Sequence, residues 1–164
     1  MIDLHDKGAF IIDAQKARQY ALKLLSYKAR SQKEIEERLK KKGFTNSTIT
    51  STIKYLKGIG LIDDLSLAKN LKNKALDTKL LSINGAKSYL IRHGISRDII
   101  EEIFQSEESD DLINAQKLID RKINSLVKYS PEIIRKRLYN LLLRRRYQYD
   151  TIIKALKKIK TEED

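Results

Sequence analysis

Residues Ser31 to Ile53 read SQKEIEERLKKKGFTNSTITSTI, and the spacing inside that stretch decides the fold. Ile35 and Leu39 stand four apart, which puts both on one face of a helix. Gly43, four residues further on, suits the left-handed turn that ends a helix, and Phe44 then closes the open end of the apolar face. Ile49 and Ile53 repeat the four-residue spacing on a second helix. Ser31 with Glu34 is a capping box, the start signal of the first of these helices. The stretch therefore predicts a helix, a tight turn and another helix facing one core.

The same offsets recur twice. Ala86, Leu90, Gly94, Ile95, Ile100 and Phe104 form the second copy, and Leu138, Leu142, Arg146, Tyr147, Ile152 and Leu156 the third. Each copy is preceded by a further run at helical spacing: Ala14, Ala17, Ala21, Leu24 and Leu25, then Leu67, Ala68, Leu71 and Ala75, then Ala115, Leu118, Ile119 and Ile123. A fold of class all-α follows, with three tandem three-helix (helix-turn-helix-like) repeats. Units this small gain stability by stacking, so an elongated, curved array is expected. The expected divisions are an N-terminal arm over 1–13, repeats over 14–62, 63–104 and 105–160, and an acidic tail over 161–164. Ser130 before Pro131 is a further start signal, as are Ser96 and Asp150. Gly60 followed by Asp63 and Asp64 reads as a helix end and then an acidic cap on the next helix. Glu107 to Asp111 opens the third repeat as a joint, with Ser109, Asp110 and Asp111 capping the helix that follows.

Composition narrows the chemistry. The 164 residues include no cysteine, which excludes disulfides and thiolate metal sites and fits a reducing compartment. The two histidines, His5 and His93, are far apart, so no zinc site is expected. Gly58-Ile59-Gly60 lacks the Lys-Ser/Thr that completes a phosphate-binding loop. Asp63 and Asp64 lack the further carboxylates of a nuclease centre, and the cap role accounts for them. No enzyme, metal or cofactor is expected. No apolar run approaches the length of a membrane span, and Met1 to Asp13 lacks the basic start of a secretory signal, so a soluble cytoplasmic protein is expected.

Charge points to a partner. The net charge of +12 is uneven: residues 14–62 carry +9 and 130–160 carry +8, while 63–104 carry +1 and 105–129 carry −1. Clustering of this kind fits a polyanion, either nucleic acid or an acidic protein surface, although a solvated lysine-rich surface would give the same sum. The first candidate cluster is Arg30, Arg38, Lys40, Lys41 and Lys42, around the end of the second helix of the first repeat. The second is Arg144, Arg145 and Arg146 at the equivalent turn of the third, with Arg135, Lys136 and Arg137 one or two helical turns earlier. Equivalent turns of an array tend to share a side, so a cationic stripe is expected. Tyr149, beside the arginines, is a candidate for stacking on a base. Tyr147 occupies the slot of Phe44 and Ile95 and is expected in the core. The last helices of the first two repeats, 46–57 and 96–104, carry few side chains able to read base edges, which disfavours sequence-specific recognition of duplex DNA.

Ala21-Leu22-x-Leu24-Leu25, then Arg30-Ser31-x-x-Glu34-Ile35-x-x-x-Leu39-x-x-Lys42-Gly43-Phe44, then Leu56-x-x-x-Gly60-Leu61-Ile62-Asp63-Asp64 with Ala68, resemble the signature of the RecX family of bacterial regulators of the RecA recombinase. The likeness continues through His93-Gly94-Ile95 to Arg145-Arg146-Tyr147. It implies three three-helix repeats that bind in the groove of the RecA filament on single-stranded DNA and lower ATP hydrolysis, strand exchange and SOS-repressor cleavage. The partners implied are the RecA filament and single-stranded DNA, with duplex DNA bound weakly, and a monomer is expected. Two positions depart from the family pattern. Arg146 replaces a glycine in the third turn, which predicts either a helix that runs on or a strained turn, and Ser82 stands where a glycine often starts the second repeat's middle helix. The alternative reading is a helix-turn-helix protein or transcriptional regulator acting directly on duplex DNA.

Overall fold

The spacings are realised as helices in the computed structural model, which describes the backbone of residues 4–105 and 110–157 and, of these, the side chains from Asp13 onward. In chain order they are α1 (Leu4–Tyr27), α2 (Gln32–Lys41), α3 (Asn46–Gly58), α4 (Asp64–Asn73), α5 (Ile83–Arg92), α6 (Arg97–Phe104), α7 (Asp111–Ile123), α8 (Pro131–Arg144) and α9 (Tyr149–Lys157), with a π-helical turn over Lys74–Thr78 continuing α4. No strand occurs among the described residues. The expected three-times-three order is therefore present. The first helix starts at Leu4, so most of the segment set apart as an arm is helical. Gly8 is its only poor helix former there, at a cost of about 1 kcal/mol, small against a 24-residue helix.

Contacts gather the chain into two compact units, Met1–Lys69 with Ile91–Ile100, and Asn70–Leu90 with Glu101–Asp164. Helices α4, α5 and α6 of the middle repeat each pass from one unit into the other. In the first unit Ala17 and Ala21 are fully buried and let α1 lie close to its partners. Ile35 and Leu39 of α2, with Ile49, Ile53 and Leu56 of α3, complete that core, and Phe44 packs against it. In the second unit Ala115, Leu118 and Ile119 of α7 meet Leu138 and Leu142 of α8, Tyr147, and Ile152, Ala155 and Leu156 of α9. Truncating any of the fully buried leucines to alanine would cost about 2–5 kcal/mol.

The turns carry the repeat. Gly43, Gly60 and Gly94 all have positive φ, at +93°, +72° and +79°. After α2 the Gly43 N–H donates to the Lys40 carbonyl and the Phe44 N–H to that of Leu39; after α8 the Arg146 N–H donates to Leu143 and the Tyr147 N–H to Leu142, at the same offsets. Arg146 thus keeps the glycine's conformation, at φ +64°, and α8 stops where the pattern requires. For a residue with a Cβ that conformation costs roughly 1–2 kcal/mol. Leu80, at φ +48°, is a second such residue, one no spacing foretold. It follows the π turn, is buried in the second core, and its carbonyl accepts a bond of 3.0 Å from the Tyr147 hydroxyl.

Candidate polyanion interface

Two joints of one design link successive repeats, and the second holds the turn that carries Arg145 and Arg146. At the first, Ser31 is fully buried at the N-cap of α2. Its hydroxyl accepts from the Glu34 N–H at 3.2 Å and donates to the His93 carbonyl, in the turn after α5, at 2.7 Å. The next amide, Gln32 N–H, donates to an Asp64 carboxylate oxygen at 2.8 Å. At the second joint Ser82 is fully buried ahead of α5, accepts from the Gly85 N–H at 3.0 Å and donates to the Arg146 carbonyl at 2.6 Å. The Ile83 N–H then donates to Asp111 at 2.9 Å. Each unit contains one joint.

Both joints depend on close approach. A Cβ on Gly94 would lie 2.5 Å from the Ser31 hydroxyl, whereas at the second joint a Cβ on Gly85 would lie 2.5 Å from the Arg145 carbonyl. The glycine needed for contact has moved from the turn to the helix, which explains how Arg146 is accommodated. Ser82 is likewise a working cap where the family pattern favours glycine. The aspartate doublets divide their labour. Asp63 caps α4 by accepting from the Ser66 N–H and Asp110 caps α7 by accepting from Leu112, while Asp64 and Asp111 reach the preceding repeat. The Ser66 hydroxyl and amide hold the exposed Asp63 carboxyl below its ordinary value. Burial raises Asp64 and Asp111, against the lowering effect of their bonds from Gln32 and Ile83. In the third copy the position of Ser31 and Ser82 is Ile134, inside α8, which starts a turn earlier at Pro131; Ser130 caps it by conformation only, without a side-chain bond.

The first cationic cluster divides in two. Arg30 is committed: its guanidinium donates to the Leu24 carbonyl at 3.2 Å and to Glu34 at 2.8 Å, tying the end of α1 to the start of α2. Arg38, Lys40, Lys41 and Lys42 are exposed together at the far end of α2. Lys42 reaches over the Tyr20 ring at 5.9 Å, and nearby in the chain order Arg18 lies over Tyr55 at 4.4 Å, an aromatic–cation pair that composition did not single out.

The arginines of the third repeat also separate. Arg135, Lys136 and Arg137 are exposed along α8, with Arg137 stacked at 4.0 Å on the Tyr129 ring. Arg144 is exposed at the end of α8 and lines a cleft of about 640 Å³ with Lys122 and Arg137. Arg145 is half-buried and its guanidinium donates to the Lys79 carbonyl, so it serves the fold. Arg146 is exposed and directed to the Ser88 hydroxyl at 3.0 Å. Tyr149 is 65% exposed, while Tyr147 is buried in the core as its slot implied, and burial pushes its phenol far above the ordinary value. Glu107, Glu108 and Ser109 of the expected joint, and the acidic tail, lie outside the described residues. Among the described residues no cluster of histidine and carboxylate side chains could hold a metal ion, and no helix is long and apolar enough to cross a membrane.

Tandem three-helix repeats joined by buried serine caps, with lysines and arginines displayed on their turns, define the class as a helical-repeat protein. Comparison narrows it. Two family models match, RecX first three-helix domain over residues 17–56 and RecX third three-helix domain over 108–156. Regulatory protein RecX of Clostridium botulinum (strain Eklund 17B / Type B) is 31% identical over 159 residues, covering 94% of this chain and 71% of that protein. Regulatory protein RecX of Prosthecochloris aestuarii is 28% identical over 151 residues, covering 91% and 97%. The crystal structure of RecX from Lactobacillus salivarius superposes with a TM-score of 0.71 at 23% identity, over 91% of this chain and 97% of that one. The chain belongs to the RecX family, a family of regulatory proteins.

Proposed function

We propose that this protein is a regulator that binds the RecA filament on single-stranded DNA and lowers RecA recombinase activity in the bacterial cytoplasm, with a weaker DNA affinity of its own. Family membership supports the reading. The observation that carries it is the pair of exposed cationic groups, Arg38, Lys40, Lys41 and Lys42 on the first repeat and Arg135, Lys136, Arg137 and Arg144 on the third, with few carboxylates between them in sequence within each repeat. Each cation set against a phosphate releases a condensed counterion, so binding is driven by charge and weakens with salt, by a log–log slope of about 0.7 per contact on single strands. Two grips on one chain act at high effective concentration, so moderate affinity at each suffices to bias a polymer whose protomers assemble and leave. No bond need be made or broken in the regulator. The reading is tested by following RecA strand exchange with this protein at substoichiometric ratio, beside its binding to bare duplex. Strand exchange falls if the reading holds; unchanged exchange with tight, sequence-dependent duplex binding at physiological salt would favour a direct transcriptional regulator instead.

A further inference from the structure

The cleft on the third repeat differs in kind from the rest of the cationic surface. Its lining holds Lys122, Arg137 and Arg144 and no carboxylate, together with Leu126, Leu141 and Leu143. Leu143 is 52% exposed, on the solvent side of α8 rather than in the core it flanks. Leu126 and Leu141 lean on the core of the second unit, but Leu143 is no part of it: the matching position of the first repeat is Lys40, and that core closes as fully. Exposed leucine costs solubility without aiding a phosphate contact, because a sugar–phosphate backbone is met by cations and a base by a flat aromatic ring. A cleft lined by both leucines and cations suits a different occupant. Its volume of about 640 Å³ is in the range of pockets that enclose a few side chains. Arg137 is held in place on the Tyr129 ring, so its free edge is preset rather than recruited.

We infer that this cleft docks an acidic segment of a protein partner, with one aliphatic side chain set against Leu126, Leu141 and Leu143 and flanking carboxylates set against Lys122, Arg137 and Arg144. This deepens the filament reading by giving the protein contact its chemistry, and rests on that reading only for the partner's identity. The division of labour is then between repeats: the first repeat's lysines, whose one interleaved leucine, Leu39, is buried in the core, meet phosphate, and the third repeat's cleft meets protein.

The test uses the full chain and three fluorescent probes: a short glutamate-rich peptide carrying two leucines, its twin with serines in their place, and an oligothymidylate of equal charge. Anisotropy titrations on the wild type should show the leucine peptide binding about tenfold or more tighter than its twin. Leu143→Ser, at an exposed position, should abolish that difference and leave oligothymidylate binding unchanged; Arg144→Glu should weaken both peptides. Equal binding of the two peptides by the wild type overturns the inference. So does a Leu143→Ser variant that loses oligothymidylate and peptide alike, which would make the cleft a nucleic-acid site. No recombinase is in the tube, so failure here is distinct from failure of the filament reading.

Discussion

Replacing Ser31 by alanine removes one oxygen and two bonds. The hydroxyl donates to the His93 carbonyl at 2.7 Å and accepts from the Glu34 N–H at 3.2 Å, in a site with no exposure. Loss of a buried hydrogen bond costs about 1–3 kcal/mol and loss of an N-cap about 1 kcal/mol, so Ser31→Ala should destabilise by roughly 2–4 kcal/mol. Ser130→Ala is the control. Ser130 has the same cap conformation but is exposed and makes no side-chain cap bond, so its loss should stay within about 0.5 kcal/mol. Urea titration followed by far-ultraviolet circular dichroism reads both as midpoint shifts at unchanged slope. A Ser31→Ala loss of only about 1 kcal/mol would make Ser31 a helix cap alone, and the joint would not be what holds successive repeats.

Further outcomes follow from the same geometry. Gly94→Ala and Gly43→Ala both place a Cβ on a residue of positive φ, at a shared cost of about 1 kcal/mol, but only Gly94 would meet another atom, so its melting point should fall clearly further; equal shifts would remove the close contact from the explanation. Lys41→Ala should leave the melting point alone and reduce the log–log salt slope of single-stranded DNA binding by about 0.7, while Arg145→Ala should do the reverse, losing about 1–2 kcal/mol of stability; an Arg145 variant with full stability and weakened binding would contradict the bond to the Lys79 carbonyl. Asp64 has a folded pKa raised above 3.8 by burial, so in the window between 3.8 and the raised value the native state holds the extra proton and this group's contribution to stability falls as pH rises. Asp64→Asn keeps an oxygen for the Gln32 amide and removes that fall, so urea midpoints should show the variant gaining on the wild type as pH rises through the window; a constant gap would count against it.

Local features were legible in the sequence and long-range ones were not. Ile35 and Leu39, Gly43 and Phe44 declare a helix, its end and its plug because each relation spans a single turn, and the three helix pairs follow. The buried slot of Tyr147 is legible for the same reason, by alignment with Phe44. The joints bring Ser31 to His93 and Ser82 to Arg146 across sixty residues and more, beyond the reach of any local periodicity. A signal was nonetheless present: serines stand four before Ile35 and four before Ala86, and isoleucine stands four before Leu138. Charge clusters in sequence do not say which members are spent on the fold. Arg30 and Arg145 are spent, on Glu34 and on the Lys79 carbonyl, whereas Lys41 and Arg144 are not buried. The positive φ of Leu80 follows a π turn, and no side-chain pattern announces that turn's extra residue.

The proposal that exposed cations let this chain act on a recombinase filament is decided by the steady-state ATPase of RecA on single-stranded DNA, measured as the full chain is added from far below to equal stoichiometry. The rate should fall well before equality and be restored when Arg38, Lys40, Lys41 and Arg144 are all changed to alanine, with helicity kept. An ATPase rate indifferent to the wild-type chain at equal stoichiometry would contradict it.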